Sequence, residues 1–388
     1  MVTIAGNGMG DYTLQNISLD LKSFDAIVCD TNFKDDAPNI IKLSYKDAKE
    51  YILSNYKEQN ILYVVTGSVF FYSAGIIIAK MLPPKYVQII DNTSSKAYMQ
   101  QKLLLSDSEI STISLHGREQ IDLKELFAKK HTFVLCDNKT IDRLQQATRY
   151  LSQDAYSVTI GYKLGYSDEQ IKTIELSQIA TQFDLTQPYV LILTREFEPT
   201  SPICKDSEFA TQRGMITKEY KRHFALQNLD LLPNMTLWDI GSGSGSCAIE
   251  AYKRYRVKTV LFENKPQRIE YIKKNLASHY VCDALLLEGD AQDMFEQVTS
   301  NPDRIFVGGG GKEVIAKLGY LYSRLNDNGV ILLNAITLKN LSHIITVLNQ
   351  ESISYEVISF AITTYKGSLD LIEPQRQLFQ IKITKECR

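Results

Sequence analysis

The sequence is poor in the residues from which metal centres and cross-links are made. Its 388 residues include only five histidines. Its six cysteines (Cys29, Cys136, Cys204, Cys247, Cys282 and Cys387) are scattered, with no C-x-x-C pair. Neither the ligand spacing of a zinc module nor a disulfide framework is present, so no metal is expected and reduced thiols point to a cytoplasmic protein. An excess of charge of one sign is also missing. Lys and Arg number 43, Asp and Glu 45, and the net charge is −2. This gives no general footprint for nucleic acid, although a local basic pocket for an acidic small molecule stays open. Long apolar runs are absent too. The most apolar helical stretch, GIIIAKML (Gly75 to Leu82), is too short to span a bilayer and carries Lys80, so no membrane partner is expected. The N-terminal MVTIAGNGMGD lacks a basic leader and a long apolar region, so no signal peptide is indicated.

What is present is length and alternation. A chain of 388 residues argues for two or more domains. The boundary is expected in EFEPTSPICKDSEF (Glu196 to Phe209), where Pro199 and Pro202 interrupt the periodic segments. This gives a first domain over 1–198 and a second over 205–388. In the second, LWDI, KTVLFE, ALLLEGD, RIFVGG and GVILLNAI read as strands separated by helices, which predicts a predominantly parallel sheet. QLFQIKIT near the end alternates and is expected as an antiparallel edge strand. The first domain offers VTIAG, AIVCD, ILYVVTG, YVQII, STISLHG, TFVLCD and PYVLILT as strands, also mixed with helices. The fold class is α/β throughout.

The densest signal is WDIGSGSGS, Trp238 to Ser246. A strand, a glycine turn and a helix open a doubly wound α/β domain, whose ligands bind at the C-terminal strand ends. A dinucleotide site needs G-x-G-x-x-G, but Ser246 stands where the third glycine is required. The spacing of Gly241, Gly243 and Gly245 suits S-adenosylmethionine (SAM), which has no pyrophosphate. A turn that merely packs helix on strand is the competing reading. The next strand ends in Glu263, placed to accept from the ribose hydroxyls. The third ends in EGDA, where Asp290, followed by Ala291, would meet the adenine amino group. Asp239 would order the glycine loop or take the methionine ammonium. Acids at three successive strand ends are a stronger signal than the glycines alone.

The fourth strand ends in Gly308, Gly309, Gly310 and Gly311. These leave room for a bulky methyl acceptor, and their N–H groups could form a nest for carboxylates.

Taken in order, RGMITK (Arg213 to Lys218), WDIGSGSGSCAIEA, EGDA, FVGGGG and NAITL (Asn334 to Leu338) resemble the decarboxylating methyltransferases of cobalamin biosynthesis. IAGNGMGD, VTGSVFFYSAG, DNTSSKA, SLHGRE and GYKLGYSDEQI are similar to the tetrapyrrole methylases that act on carbon 5 of the same ring. Together the strings resemble the fused precorrin-6Y methyltransferase family. The resemblance implies a tetrapyrrole-methylase-like domain followed by a Rossmann-like class I SAM-dependent methyltransferase domain. It implies SAM as cofactor, a carboxylate-rich precorrin as substrate, and a homo-oligomer. The expected activity is methylation at ring carbons 5 and 15, with decarboxylation of the ring C acetate. In the first domain it implies that Gly6, Gly8, Gly10, Thr66, Gly67, Ser94 and Ser95 hold the cofactor. Asp11, His116 and Arg118 would face the substrate there, and Arg213, Thr217 and Lys218 in the second domain. The chain departs from the family pattern at Met9, at Ser68 and Val69, and at Asp91 to Thr93. Those departures keep a second reading open, in which the first domain only holds the corrinoid. Methylation of a different substrate such as RNA, and SAM sensing without catalysis, compete with both.

Overall fold

Runs dominated by Val, Ile and Leu become strands buried on both faces. Val2–Gly6 (β1) is buried at every position, as expected for a parallel sheet covered on both sides. The computed structural model describes residues 1–309, 311–367 and 371–386. Its contacts divide into two units. The first comprises Met1–Ile121, Glu125–Ile141 and Tyr156–Glu196; the second comprises Asp122–Lys124, Asp142–Ala155 and Phe197–Arg388. Two short segments inside the expected span of the first domain therefore belong to the second unit. One reason is local: the Ala147 carbonyl accepts from the Asp283 amide at 2.7 Å.

In the first unit, β1 is followed by β2 (Ala26–Cys29), β3 (Ile40–Lys42), α1 (Tyr45–Asn55), β4 (Ile61–Val65), α2 (Ala74–Met81), β5 (Val87–Ile90) and α3 (Ser95–Leu103). The strands form a parallel sheet in the order β3-β2-β4-β1-β5. Then come β6 (Ile110–Ser114), β7 (His131–Leu135), β8 (Tyr156–Tyr162), β9 (Gln170–Thr173), α5 (Ile179–Gln182) and β10 (Tyr189–Arg195), while α4 (Thr140–Thr148), between β7 and β8, passes into the second unit from Asp142 on. These strands form a mixed sheet, β6-β7-β10-β8-β9. Only β6 and β7 are parallel in it.

The second unit continues with α6 (Glu219–Asn228), β11 (Thr236–Ile240), α7 (Ser246–Tyr255), β12 (Lys258–Glu263), α8 (Pro266–Ser278), β13 (Ala284–Glu288), α9 (Ala291–Met294), β14 (Arg304–Val307), α10 (Gly311–Ile315), α11 (Leu318–Arg324), β15 (Val330–Ala335) and α12 (Leu338–Gln350). It closes with β16 (Glu356–Phe360), the hairpin β17 (Thr363–Lys366) and β18 (Leu371–Pro374), and β19 (Leu378–Thr384). The sheet order is β13-β12-β11-β14-β15-β19-β16, parallel through β15 and antiparallel beyond it. Trp238, Ile240, Phe262 and Ile305 pack on one face with Phe295 and Leu318, and Leu237 and Phe306 pack on the other with Leu226 and Ala251. The alternation of β11 is what sends Leu237 and Trp238 to opposite faces.

QLFQIKIT forms the antiparallel strand expected of it, but not at an edge. As β19 it lies between β15 and β16, and β16 takes the edge. Its inner residues Leu378, Gln380, Ile381 and Ile383 are buried accordingly.

Candidate active sites

In the second unit the sheet order reverses at β11 and β14, the place where open α/β sheets form their ligand crevice. The pairing register aligns Ile240 with Phe262 on one side and Val307 on the other. The loops after these strands therefore emerge side by side. The three glycines after β11 all have positive φ, at 72°, 61° and 74°, but they are bare for different reasons. A Cβ on Gly241 would lie 2.7 Å from the Gly309 Cα, so this glycine lets the two loops touch. A Cβ on Gly245 would crowd Leu261 at 3.3 Å, so this one seats α7 on the sheet. At Gly243 a Cβ would meet nothing within 4 Å. Only there does the loop face open space, so packing accounts for Gly241 and Gly245 and leaves Gly243 as the position open to a ligand.

Glu263, at the end of β12, turns back onto this loop. Its Oε2 accepts from the Gly243 amide at 2.9 Å, and its Oε1 from the amides of Asn264 and Lys265, each at 3.1 Å. Arg268 stands 3.9 Å away. Three of the roughly four lone-pair sites of the carboxylate are thus in use, and one remains directed to a further donor. Asp290 is exposed at the start of α9 and accepts from the Asn264 side chain at 2.6 Å, while Ala291 behind it is buried. Asn264, between the two acids, orders both, and no motif in the sequence points to it.

Asp239 is 1% exposed. One of its oxygens accepts from the Ala248 amide at 3.3 Å, tying the end of β11 to α7. Burial, with the Glu263 charge adding to it, pushes its pKa up to about 7. Thr217 lies with its hydroxyl against the Cys247 thiol and its carbonyl on Arg222 at 2.7 Å. Both groups are thus engaged within the protein and not offered to the substrate expected there. Burial pushes the Cys247 thiol up, so it is no nucleophile at neutral pH.

The glycine run after β14 behaves differently from the nest expected of it. The Gly308 and Gly309 amides both donate to the Ile240 carbonyl, at 3.0 and 3.3 Å. They hold β14 against β11 and are not offered to a carboxylate. Gly311, with φ of 70°, begins α10, and Gly310 lies outside the described residues. Two cations in the segment leading into α6 remain suited to carboxylates. Arg213 is exposed at φ of 50° and makes no hydrogen bond or ion pair among the described residues, and the Lys218 ammonium sits 3.6 Å from Asp206.

The first unit holds a cavity of about 560 Å³ within itself. Gly8, Gly10, Asp11, Thr66, Gly67, Ser94, Ser95 and His116 all line it. Gly6 and Arg118 do not. Gly6 is buried where a Cβ would meet the Gly67 carbonyl at 2.5 Å, and Arg118 sits in the turn after β6 with its amide on the Leu115 carbonyl. Asp11 is ion-paired to Lys34 at 2.9 Å, which holds its carboxyl below the usual range. Ser94 caps α3 by accepting from the Ala97 amide. His116 Nδ1 is 3.3 Å from the Cys136 carbonyl.

Among the positions that depart from the family pattern, Ser68 and Val69 bond to Asp91. Asp91 accepts from the Val69 amide at 2.7 Å and from the Ser68 hydroxyl at 3.1 Å. The Asn92 side chain lies over Gly8, where a Cβ would be 2.7 Å from its Oδ1. The Met9 methyl would be 3.4 Å from a Cβ on Gly67.

A family model described as the precorrin methyltransferase domain matches residues 208–385. A probable cobalt-precorrin-6B C(15)-methyltransferase (decarboxylating) of Methanococcus vannielii is 32% identical over 162 residues, covering 41% of this chain and 86% of the relative. The chain belongs to the precorrin methyltransferase family. A precorrin-6Y C(5,15)-methyltransferase [decarboxylating] of a Sinorhizobium species is 25% identical over 289 residues, covering 71% of this chain and 68% of the relative. Among solved structures, the precorrin-6Y C5,15-methyltransferase of Geobacter metallireducens is 31% identical at a TM-score of 0.45, over 47% of this chain and 97% of that one.

The precorrin methyltransferase domain also contains a polar group that motif strings do not advertise. Arg222 on α6 and Glu250 on α7 are fully buried and paired at 2.6 Å, and Arg222 also reaches Asp206 at 3.1 Å. The pair pins the entry helix to the helix that follows the glycine loop. Just outside and inside the matched span, Cys204, Glu208 and His279 bring ligand-type atoms within 4.8 Å of one another. The Lys253 ammonium acts on the same thiol, and its charge opposes a divalent cation there. Among the described residues no helix is long and apolar enough to cross a membrane.

Proposed function

We propose that the chain is a bifunctional SAM-dependent methyltransferase. It methylates a precorrin at ring carbons 5 and 15 and decarboxylates the ring C acetate, releasing carbon dioxide and leaving a methyl group on the ring. The observation that carries the second-domain half is Gly243. It is a left-handed glycine facing open space at the sheet switch point, flanked by Glu263 with acceptor capacity left and by the buried Asp239. A nucleoside with an amino-acid arm fits this arrangement. Glu263 would hold a ribose hydroxyl, Asp290 the adenine amino group and Asp239 the ammonium. When bound, SAM supplies a methyl group on a sulfonium. The accepting ring carbon is enamine-like and provides its own electron pair, so the protein's task is orientation and exclusion of water. Orientation of that kind supplies several kcal/mol, up to roughly 7–11 in favourable cases. In the decarboxylation the bond to the carboxylate carbon breaks, its electron pair enters the macrocycle, and a proton is taken up. Arg213 and Lys218 are the cations that would read the substrate's carboxylates.

The first-domain half rests on the reach of the Sinorhizobium relative, whose match covers 71% of this chain and so extends beyond the second unit. It also rests on the contacts of the departing positions, Ser68 and Val69 with Asp91, Met9 with Gly67 and Asn92 with Gly8. These contacts order the loops beside an open cavity that Met9 and Ser68 line, which supports a working site there. Incubation of the intact chain with SAM and a precorrin-6Y, read by mass spectrometry, should show two methyl groups gained and one carboxyl lost. A single methyl gain with loss of the carboxyl would reduce the first domain to a corrinoid-holding role. Absence of any methyl gain, with no calorimetric binding of SAM, would overturn the methyltransferase reading.

A further inference from the structure

Asn7 stands immediately after β1, between two of the glycines of the first loop, and no motif of the sequence gives it a role. Its backbone cannot move away. The Asn7 amide donates to the Val65 carbonyl at 2.8 Å, and Gly8 and Gly67 exchange both of their backbone hydrogen bonds at 3.0 and 3.1 Å. The side chain is 2% exposed and lines the first-unit cavity. Its Oδ1 is buried with no hydrogen-bond partner among the described residues. The polar groups on the neighbouring loop are engaged elsewhere. Asp91 holds Ser68 and Val69, and Asn92 Oδ1 accepts from the Thr93 amide. An unsatisfied buried amide oxygen costs on the order of 1–3 kcal/mol, so it persists where something else completes it.

The rest of the lining says what that something is. Asp11 and Asp30 bring carboxylates, Tyr12, Tyr45, Tyr63 and Tyr166 bring ring faces and hydroxyls, and no lining residue is Lys or Arg. Asp11 is already paired with Lys34, so Asp30 and the tyrosine faces are what make this wall favour a cation over an anion. A SAM molecule, with its sulfonium, its ammonium and its adenine amino group, offers both positive charge and donors for a carboxamide oxygen. A macrocycle bearing many carboxylates offers no positive charge at its rim.

We propose that Asn7 is a specificity-determining residue of the first-unit site, its carboxamide oxygen receiving a hydrogen bond from a donor of a cationic nucleoside ligand such as SAM. This rests on the reading of the first unit as a second methyltransferase site. The test uses the full chain and its Asn7→Leu variant, which has similar size and no polar atoms. Leucine relieves the unsatisfied oxygen, so without ligand the variant should melt at the parent's temperature or above it. In calorimetry with SAM, one of two binding events should weaken by about tenfold or more, as expected for loss of a hydrogen bond to a charged donor, and the other should stay unchanged. The Asn7→Asp variant keeps the acceptor and should retain both events, which keeps the proposal testable if the leucine chain does not fold. A clear drop in melting temperature for Asn7→Asp as well as Asn7→Leu, with both SAM events intact in the aspartate chain, would make Asn7 structural and overturn the assignment. So would two unchanged events in a folded Asn7→Leu chain. A single event in the parent chain would overturn the reading of the first unit itself, and the role of Asn7 with it.

Discussion

Asp239 places a carboxyl group in a position that does not favour its charge. Its pKa in the fold is about 7, against about 3.9 for an unfolded aspartate. The folded state therefore holds the proton more tightly. In the absence of ligand, stability should fall as pH rises from about 4 to about 7 and level off above that. The total is on the order of 4 kcal/mol if no other group compensates. The Asp239→Asn variant should lack this slope, melting near the parent at pH 4 and above it at pH 8. The glycines of the loop separate by the same logic of local surroundings. Gly241→Ala meets backbone at 2.7 Å and an unfavourable φ, so it should lose a few kcal/mol by chemical denaturation. Gly243→Ala meets only the φ penalty of about 1–2 kcal/mol, and its larger effect should be on SAM affinity. The glycine spacing and the acids at strand ends were legible in the sequence because each sits beside a strand end that the apolar runs announce, whereas Gly8, Asp11, Thr66 and Ser94, which line the first-unit cavity, were named through the family resemblance. That Gly308 and Gly309 spend their amides on Ile240, and that Asn264 links Glu263 to Asp290, was not legible. Both depend on strands adjacent in space and distant in the chain.

At the level of elements, the buried pair of Arg222 and Glu250 is the strongest constraint on how α6 meets α7. Glu250→Ala would leave a fully buried guanidinium with only Asp206 as a charged partner, and it should destabilise the second unit by about 3–5 kcal/mol. Thermal unfolding followed in parallel with SAM binding would show the loss, and an Arg222→Met, Glu250→Leu double variant should recover much of it. Asp91→Ala removes two hydrogen bonds at an exposed site, and about 1 kcal/mol is expected. Its clearer signature is the loop after β4, whose loosening should weaken SAM binding at the first-unit site and leave the other site untouched. The parallel strands were readable as apolar runs bounded by glycine. EVISF, which forms β16, and QIKT, which forms β9, were not, because both lie at sheet edges and carry polar residues on exposed faces. The same edge rule misplaced QLFQIKIT. Alternation announces an antiparallel strand but does not say whether another strand will cover its far side.

For the whole molecule, two units with separate sheets and separate candidate sites predict that the two halves of the activity come apart. Glu263→Ala should release Gly243, Asn264 and Lys265 from their shared acceptor. It should abolish the second-unit methylation and the loss of carbon dioxide, and leave a product carrying one added methyl group, as mass spectrometry would show. The placement of β19 carries a consequence for how the second unit is made. The strand that joins β15 to β16 comes from residues 378–384, after every other strand of its sheet. During synthesis, β15 and β16 therefore wait with open backbone edges until Thr384 has cleared the ribosome. A message truncated a few codons upstream would yield a chain with both edges unpaired and ready to join a neighbour's, and its fate in the cell should be aggregation or proteolysis rather than partial activity.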